Sequence, residues 1–94
     1  MKTVIELETE RLETANRHIV ATEERIEMQR RRIAKLKGNG AFYDHSEKLL
    51  ASLLDTLGVM RKYRQQVVSH LVQARLQQQH SQRRASRNED APEE

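Results

Sequence analysis

An apolar residue recurs at every seventh position from residue 5 to residue 33 of the chain. The repeat consists of Ile5, Leu12, Ile19, Ile26 and Ile33, and the residues between them are mostly charged or polar. A seven-residue apolar repeat is typical of a helix that packs one narrow face against another helix. The sequence therefore predicts a long helix over residues 3–37, with these five side chains at the a positions of a coiled-coil heptad.

The d positions of the same heptad are less uniform than the a positions. They are Glu8, Ala15, Thr22, Gln29 and Leu36. Polar residues at a coiled-coil seam fix the helix register and the oligomeric state at some cost in stability. We therefore assign Thr22, Gln29 and, in the second helix, Arg64 to structural roles rather than to catalysis. The long Arg64 side chain can extend its charged end toward a neighbouring carboxylate.

A turn interrupts the helical pattern at Gly38-Asn39-Gly40. Glycine and asparagine tolerate the positive φ that commonly ends a helix, so we predict a turn over residues 38–43. Asp44 followed by Glu47 resembles a capping box, and helix 2 is predicted over residues 44–81. Its apolar stripe has an alternating spacing of three and four residues, with Arg64 as the one polar break, and consists of Leu50, Leu53, Leu57, Met60, Arg64, Val67, Leu71 and Ala74.

The two stripes match when the chain folds back at this turn. The chosen alignment pairs Ile33 with Leu53, Ile26 with Met60, Ile19 with Val67, Leu12 with Ala74, and Thr22 with Arg64. It also places Glu23 beside Arg61. The predicted fold is therefore all-α, an antiparallel two-helix coiled-coil hairpin. Its seam comprises Leu12, Ile19, Ile26, Ile33, Leu36, Leu50, Leu53, Leu57, Met60, Val67 and Leu71.

Three apolar residues of helix 2 fall outside this seam. Leu49, Leu54 and Val68 flank it at e and g positions. One two-helix seam is a thin core for a chain of this size, and burial of the flanking residues requires a second surface. We therefore expect a homodimer that forms a four-helix bundle through helix 2. The alternative is a monomer with scattered surface leucines, which folded proteins commonly carry.

The composition excludes several classes of protein. The chain has 94 residues, which is enough for one domain at most, and it contains no cysteine. The lack of cysteine excludes a disulfide scaffold and a thiolate zinc site. The N-terminal stretch MKTVIELETE has no apolar core of a signal peptide, and no apolar run approaches the ~20 residues of a membrane span. We expect a cytoplasmic protein with a disordered polar tail over residues 82–94.

Two segments together resemble a family of short, uncharacterised bacterial proteins that form helical hairpins. They are RHIVATEERIEMQRRRIAKLKGNG, which ends at the turn, and SEKLLASLLDTLGVMRKYR, which belongs to helix 2. The matching residues are His18, Ile19, Glu23, Arg25, Ile26, Gln29, Arg30, Ile33, Leu36, Gly40, Leu49, Leu50, Leu53, Thr56, Leu57, Met60 and Arg64. Members of that family carry an Asp-Thr pair after the glycine, where this chain has Phe42 and Tyr43. The resemblance covers residues 15–67 and implies a hairpin, but it implies no activity, substrate or cofactor.

Basic residues are concentrated next to the turn, where they comprise Arg30, Arg31, Arg32, Lys35 and Lys37. Such a cluster could contact nucleic-acid phosphates or an anionic membrane surface. It could also be a solvated helix face that complements the negative end of the helix dipole. We prefer the second interpretation, because few aromatic side chains accompany the cluster and the acidic C-terminal residues can screen it. A nucleic-acid-binding accessory protein is kept as the alternative function.

The histidines are the remaining residues with metal-ligand chemistry. His18 and His70 fall on one flank of the predicted hairpin and could approach each other, but two histidines without a nearby acid do not make a zinc site. The sequence has no evident nucleophile–base pair, phosphate-binding glycine loop or pair of catalytic carboxylates. We therefore expect no enzyme, no catalytic residue, no metal and no cofactor. The expected function is a non-enzymatic protein–protein interaction module or small scaffold, built on the homodimer and open to a further protein partner.

Overall fold

The structure is a computed structural model that describes the backbone of residues 1–90 and the side chains of residues 1–84. It contains two α-helices, α1 (Val4–Gly38) and α2 (Asp44–Asp90), joined by residues 39–43. The two helices pack side by side in antiparallel orientation, and no strand occurs within residues 1–90. The predicted all-α helical hairpin is therefore confirmed. Neither helix, over its described length, is apolar enough to cross a membrane.

Short-range hydrogen bonds cap both ends of α1. At the N-terminal end, the Glu6 N–H donates to the hydroxyl oxygen of Thr3 at 3.1 Å, which satisfies a backbone donor that has no partner inside the helix. At the other end, the Ala41 N–H donates to the Leu36 carbonyl at 2.9 Å. This bond belongs to a Schellman motif, which requires a residue with positive φ. Gly40 supplies it with a φ of 68°, so α1 ends at the turn that the sequence indicates.

α2 begins without the predicted capping box. Asp44 is the first helical residue instead of the cap, and its carboxylate forms an ion pair with Lys48 at 3.4 Å. The Glu47 N–H donates to the Tyr43 carbonyl at 3.0 Å, so this donor does not need a side-chain acceptor. The Glu47 carboxylate instead crosses to α1, where it lies 3.5 Å from the Lys37 ammonium group.

α2 continues beyond its predicted end at residue 81, and residues 82–90, which were assigned to the disordered tail, are helical. Neither glycine nor proline occurs between Gly58 and Pro92, and glutamine and arginine are frequent in this segment. Such residues lose little freedom in a helix, so the loss of the apolar stripe does not end α2. The predicted boundary is corrected to Asp90, and residues 91–94 of the predicted tail lie outside the described residues.

The core is a single line of side chains between the two helices. Every residue of the predicted seam is buried or half-buried. The buried apolar residues are Ala15, Ile19, Ile26, Ile33, Leu57, Val67 and Leu71. Perpendicular to the long axis, the Cα atoms span only 19 and 18 Å, which is too little for three helices side by side with about 8–10 Å between their axes. The outward faces of both helices are therefore left to solvent.

The register of the two helices differs from the predicted alignment. Thr22 lies against Met60 rather than Arg64, with its hydroxyl oxygen 3.3 Å from the Met60 sulfur. Arg64 reaches Asn16 instead, at 3.5 Å. These two contacts therefore differ from the predicted alignment, whereas the predicted approach of Glu23 to Arg61 is retained. A heptad pattern superimposes on itself when one helix slides along the other, so the apolar stripes alone do not distinguish these alignments.

Candidate interaction surface

Two buried polar side chains connect the helices within the seam. The Thr22 hydroxyl donates to the sulfur of Met60, and the Gln29 amide nitrogen donates to the Ser46 carbonyl at 2.9 Å. Buried polar groups are tolerated when they are hydrogen-bonded, and both bonds require the helices to lie in their observed register. Thr22 and Gln29 thus both form a hydrogen bond to α2, as expected for the structural role predicted for them.

Two arginines of α2 contact α1 along one flank of the seam. Arg61 lies 3.8 Å from the Glu23 carboxylate, so the pairing predicted for these residues is confirmed. Arg64 is half-buried and donates to the Asn16 side-chain oxygen at 3.5 Å, which corrects the expectation that it would reach a carboxylate. Exposed ion pairs contribute about 1 kcal/mol or less, so this flank adds little to the stability of the hairpin.

Glu8 is a buried acid that the sequence analysis did not single out. It occupies a d position and is only 6% exposed. One carboxylate oxygen accepts a 2.7 Å hydrogen bond from Arg11, whereas the other has no hydrogen-bond partner in the described part of the chain. A buried oxygen without a partner loses the free energy of its hydration. The sequence feature that could have identified Glu8 is an acid at a seam position of an otherwise regular heptad.

The three residues predicted to form the oligomer interface do not share one surface. Leu54 and Val68 are two heptads apart and therefore lie on the same face of α2. Leu49 lies roughly 100–140° away from them around the helix axis, on the opposite side of the seam. Leu49 and Leu54 are exposed, whereas Val68 is half-buried. Leu49 is thus removed from the candidate interface.

Additional residues, which sequence reasoning missed, extend the face that carries Leu54 and Val68. We call this set the outer stripe, and it comprises Ala51, Leu54, Gly58, Val68 and Val72. Its members follow the spacing of three and four residues that defines the seam, and Arg61 and Gln65 interrupt it at the middle. Leu54 and Val72 are 40% and 49% exposed. A Cβ atom at Gly58 would meet no atom within 4 Å, so nothing in the hairpin itself requires a glycine there.

A shallow groove of about 300 Å³ joins the outer stripe to the basic cluster near the turn. Leu50, Ala51 and Leu54 form its apolar side, and Arg30 and Lys37 of α1 form its charged side. The predicted anion-contact residues therefore do not form an isolated patch. Arg30 and Lys37 border the apolar surface of α2 that α1 does not cover.

Acids engage part of the basic cluster. Arg31 lies 3.6 Å from the Glu27 carboxylate. Lys37 pairs with Glu47, and its ammonium nitrogen lies 4.8 Å from the centre of the Tyr43 ring. The other three basic residues, Arg30, Arg32 and Lys35, are exposed and form no ion pair within the described residues.

The groove that His18 lines does not bring it to His70, the histidine that it was predicted to approach. His18 lines a groove of about 400 Å³ together with Met60 and Tyr63 of α2, and His70 is not part of its lining. This groove lies on the opposite flank of the seam from the outer stripe. Among the residues that the structure describes, no group of three histidines or acids is arranged to hold a metal ion.

Comparison with known proteins found no matching family model, no matching curated protein and no matching solved structure. The resemblance to short bacterial helical-hairpin proteins therefore stays a prediction. The surfaces of the hairpin itself are the basis for a functional proposal.

Proposed function

We propose that the chain is a non-enzymatic protein-interaction module that self-associates through the outer stripe of α2, so that two hairpins form a four-helix bundle. The observation that carries this proposal is the outer stripe itself. It repeats the spacing of a packed seam over about six helical turns, yet α1 lies on another side of α2. A second copy of the chain would supply the missing surface.

The thinness of the hairpin supports self-association on energetic grounds. Each helix has one neighbour, and no large side chain among residues 1–84 is completely buried. Full burial of a leucine or valine side chain contributes about 1.5–3 kcal/mol. Each hairpin would bring Leu54, Val68 and Val72 into the interface, so the gain is counted twice in a symmetric dimer. In a four-helix bundle each helix gains a second neighbour.

The buried polar side chains support an architectural role over a catalytic one. Thr22 and Gln29 hold α1 to α2 with bonds inside the seam. Catalytic groups, in contrast, converge on a space that a substrate can enter. A chain that uses its interior polar groups to fix the position of one helix on another is better suited to present a defined surface to a protein partner.

The proposal is tested by placing charge on the outer stripe. The double variant Leu54→Glu/Val68→Glu introduces two carboxylates on this face, where burial in an interface would cost several kcal/mol. The matched control Val59→Glu/Gln73→Glu has the same spacing of fourteen residues on the exposed opposite side of α2. Sedimentation velocity at tens of micromolar should show dimers for the wild type and the control, and monomers for the Leu54/Val68 variant.

Circular dichroism on the same samples separates loss of assembly from loss of folding. The helical signal of the Leu54/Val68 variant should persist at low temperature, because neither residue belongs to the seam and neither is more than half-buried. A wild-type protein that sediments as a fully helical monomer at these concentrations contradicts the proposal.

A nucleic-acid-binding accessory role is the second candidate. The observation that favours it is the presence of three exposed basic side chains that form no ion pair with any other described side chain, Arg30, Arg32 and Lys35. If each contacts a phosphate of duplex DNA, the logarithm of the binding constant should fall with the logarithm of salt concentration with a slope of about −0.9 per contact. Replacing the three residues with glutamine should flatten that slope, and binding that does not respond to salt contradicts this role.

A further inference from the structure

We infer that two hairpins associate with their α2 helices antiparallel, about a two-fold axis close to residue 63, so that Leu54 of one copy packs beside the partner's Val72. This inference rests on the proposed self-association through the outer stripe. It adds the orientation of the partner and the residues that meet.

The order of residues along the outer stripe supports the antiparallel arrangement. Laid against itself in reverse, the stripe pairs Leu54 with the partner's Val72, Gly58 with the partner's Val68, and Arg61 with the partner's Gln65. Leu54 and Gly58 thus meet the partner's valines on either side of the centre, and polar residues meet at the centre. Ala51, the first residue of the stripe, meets the partner's Arg75. In a parallel alignment in register, each residue meets its own copy, and Arg61 faces Arg61.

Gly58 supports the same alignment independently. The hairpin offers no steric reason for a glycine in the middle of α2, because the space around its missing side chain is empty. Glycine costs about 1 kcal/mol relative to alanine at a helix interior. In the antiparallel dimer, Gly58 lies opposite the partner's Val68, and the absence of a side chain lets the two helices approach closely.

The charges of α1 are complementary in this orientation. Residues 30–37 carry five basic side chains and no acid, whereas residues 6–13 include four glutamates and one arginine. An antiparallel dimer brings the turn of each hairpin toward the open end of its partner, so the basic cluster of one α1 lies toward the N-terminal glutamates of the other. A parallel dimer would place the two basic clusters side by side. Complementary potentials of this kind select orientation and partner.

Cysteine cross-linking tests the orientation, and the chain has no cysteine of its own to interfere. Leu54→Cys and Val72→Cys are prepared as two separate proteins, and each is first shown by sedimentation under reducing conditions to dimerise. The proteins are then oxidised separately and as an equal mixture. A disulfide requires Cβ atoms about 4 Å apart, so the antiparallel arrangement should give cross-linked dimer in the mixture and none in either protein alone.

The outcomes separate the orientation from the proposed function. Cross-linking of each variant with itself overturns the antiparallel arrangement and supports a parallel dimer. Dimers by sedimentation that cross-link in neither experiment overturn the pairing of Leu54 with Val72. Wild-type monomers by sedimentation overturn the proposed self-association and this inference with it.

Discussion

Gln29 donates a hydrogen bond of 2.9 Å from its side-chain amide to the main-chain carbonyl of Ser46, so a buried side chain of α1 is fixed to the first turn of α2. The bond matters because the rest of the seam is largely apolar, and apolar contacts do not select one register from several. A buried polar group can have its hydrogen-bond partner in a single alignment. Every other alignment then carries the free-energy cost of leaving that group without a hydrogen bond. The Gln29 bond thereby favours the observed register of α2 on α1.

Replacing Gln29 with alanine should destabilise the hairpin. The change removes the bond to Ser46 and leaves a space in the seam, so we expect the free energy of unfolding to fall by about 1–3 kcal/mol. Urea denaturation followed by circular dichroism measures this difference. The control Gln66→Ala, at an exposed position of α2, should change the free energy of unfolding by about 0.5 kcal/mol or less. Equal effects of the two changes would show that the seam position of Gln29 is unimportant.

Ile26→Ala tests whether one seam supports the fold. Ile26 is 4% exposed and packs in the central cluster with Leu57, so its truncation should cost about 2–5 kcal/mol. Val59→Ala is the matched control, because Val59 is 69% exposed on the far side of α2. Thermal melts at one protein concentration should show a large fall in Tm for Ile26→Ala and little change for Val59→Ala. A small effect at Ile26 would mean that the seam is not the core.

Glu8→Leu should stabilise the hairpin. The buried carboxylate has an oxygen without a hydrogen-bond partner in the described chain, and leucine at a d position packs well in a coiled coil. Replacing a poorly satisfied buried charge with an apolar residue is often stabilising, by about 1–4 kcal/mol. Urea denaturation of Glu8→Leu and of the exposed control Glu24→Leu measures the gain. A Glu8→Leu protein less stable than the wild type would indicate that the bond from Arg11 outweighs the cost of burying the carboxylate.

The helices and the seam residues could be predicted because their signals are local and repeated. Every seven-residue step from Ile5 to Ile33 lies on one face of α1, and Gly40 supplies the positive φ that ends it. The register could not be predicted, since sliding the helices leaves the apolar pattern matched. It is fixed by single polar contacts such as that between Thr22 and Met60, whose partners a periodic pattern does not identify.

The outer stripe was only partly predicted for a different reason. Leu54 and Val68 stand out as apolar residues beside the seam, but Leu49 has the same chemistry and lies on the other flank. To distinguish them, the direction of each side chain around the axis of α2 has to be worked out residue by residue, starting from the seam. Gly58 carries no apolar signal at all, and its membership of the stripe follows from its position alone.

Gly58→Leu should have opposite effects on the hairpin and on the dimer. Leucine is the better helix former by about 0.6–0.8 kcal/mol, and the hairpin has room for a side chain at this position, so a dilute, monomeric sample should melt at a higher temperature than the wild type. In the antiparallel dimer the new side chain would occupy the space of the partner's Val68. Overpacking of this kind costs about 1–3 kcal/mol for each contact, which corresponds to dimerisation weaker by roughly tenfold or more.

Sedimentation equilibrium across a concentration series measures the dimer constant, and thermal melts of the most dilute samples measure the hairpin. The matched control is Gln66→Leu, which adds a leucine at an exposed position of α2 outside the outer stripe and should leave the dimer constant unchanged. A Gly58→Leu protein that dimerises as tightly as the wild type would show that no second helix approaches Gly58. The glycine would then be without a role in assembly, and a close approach of a second helix at this position would be excluded.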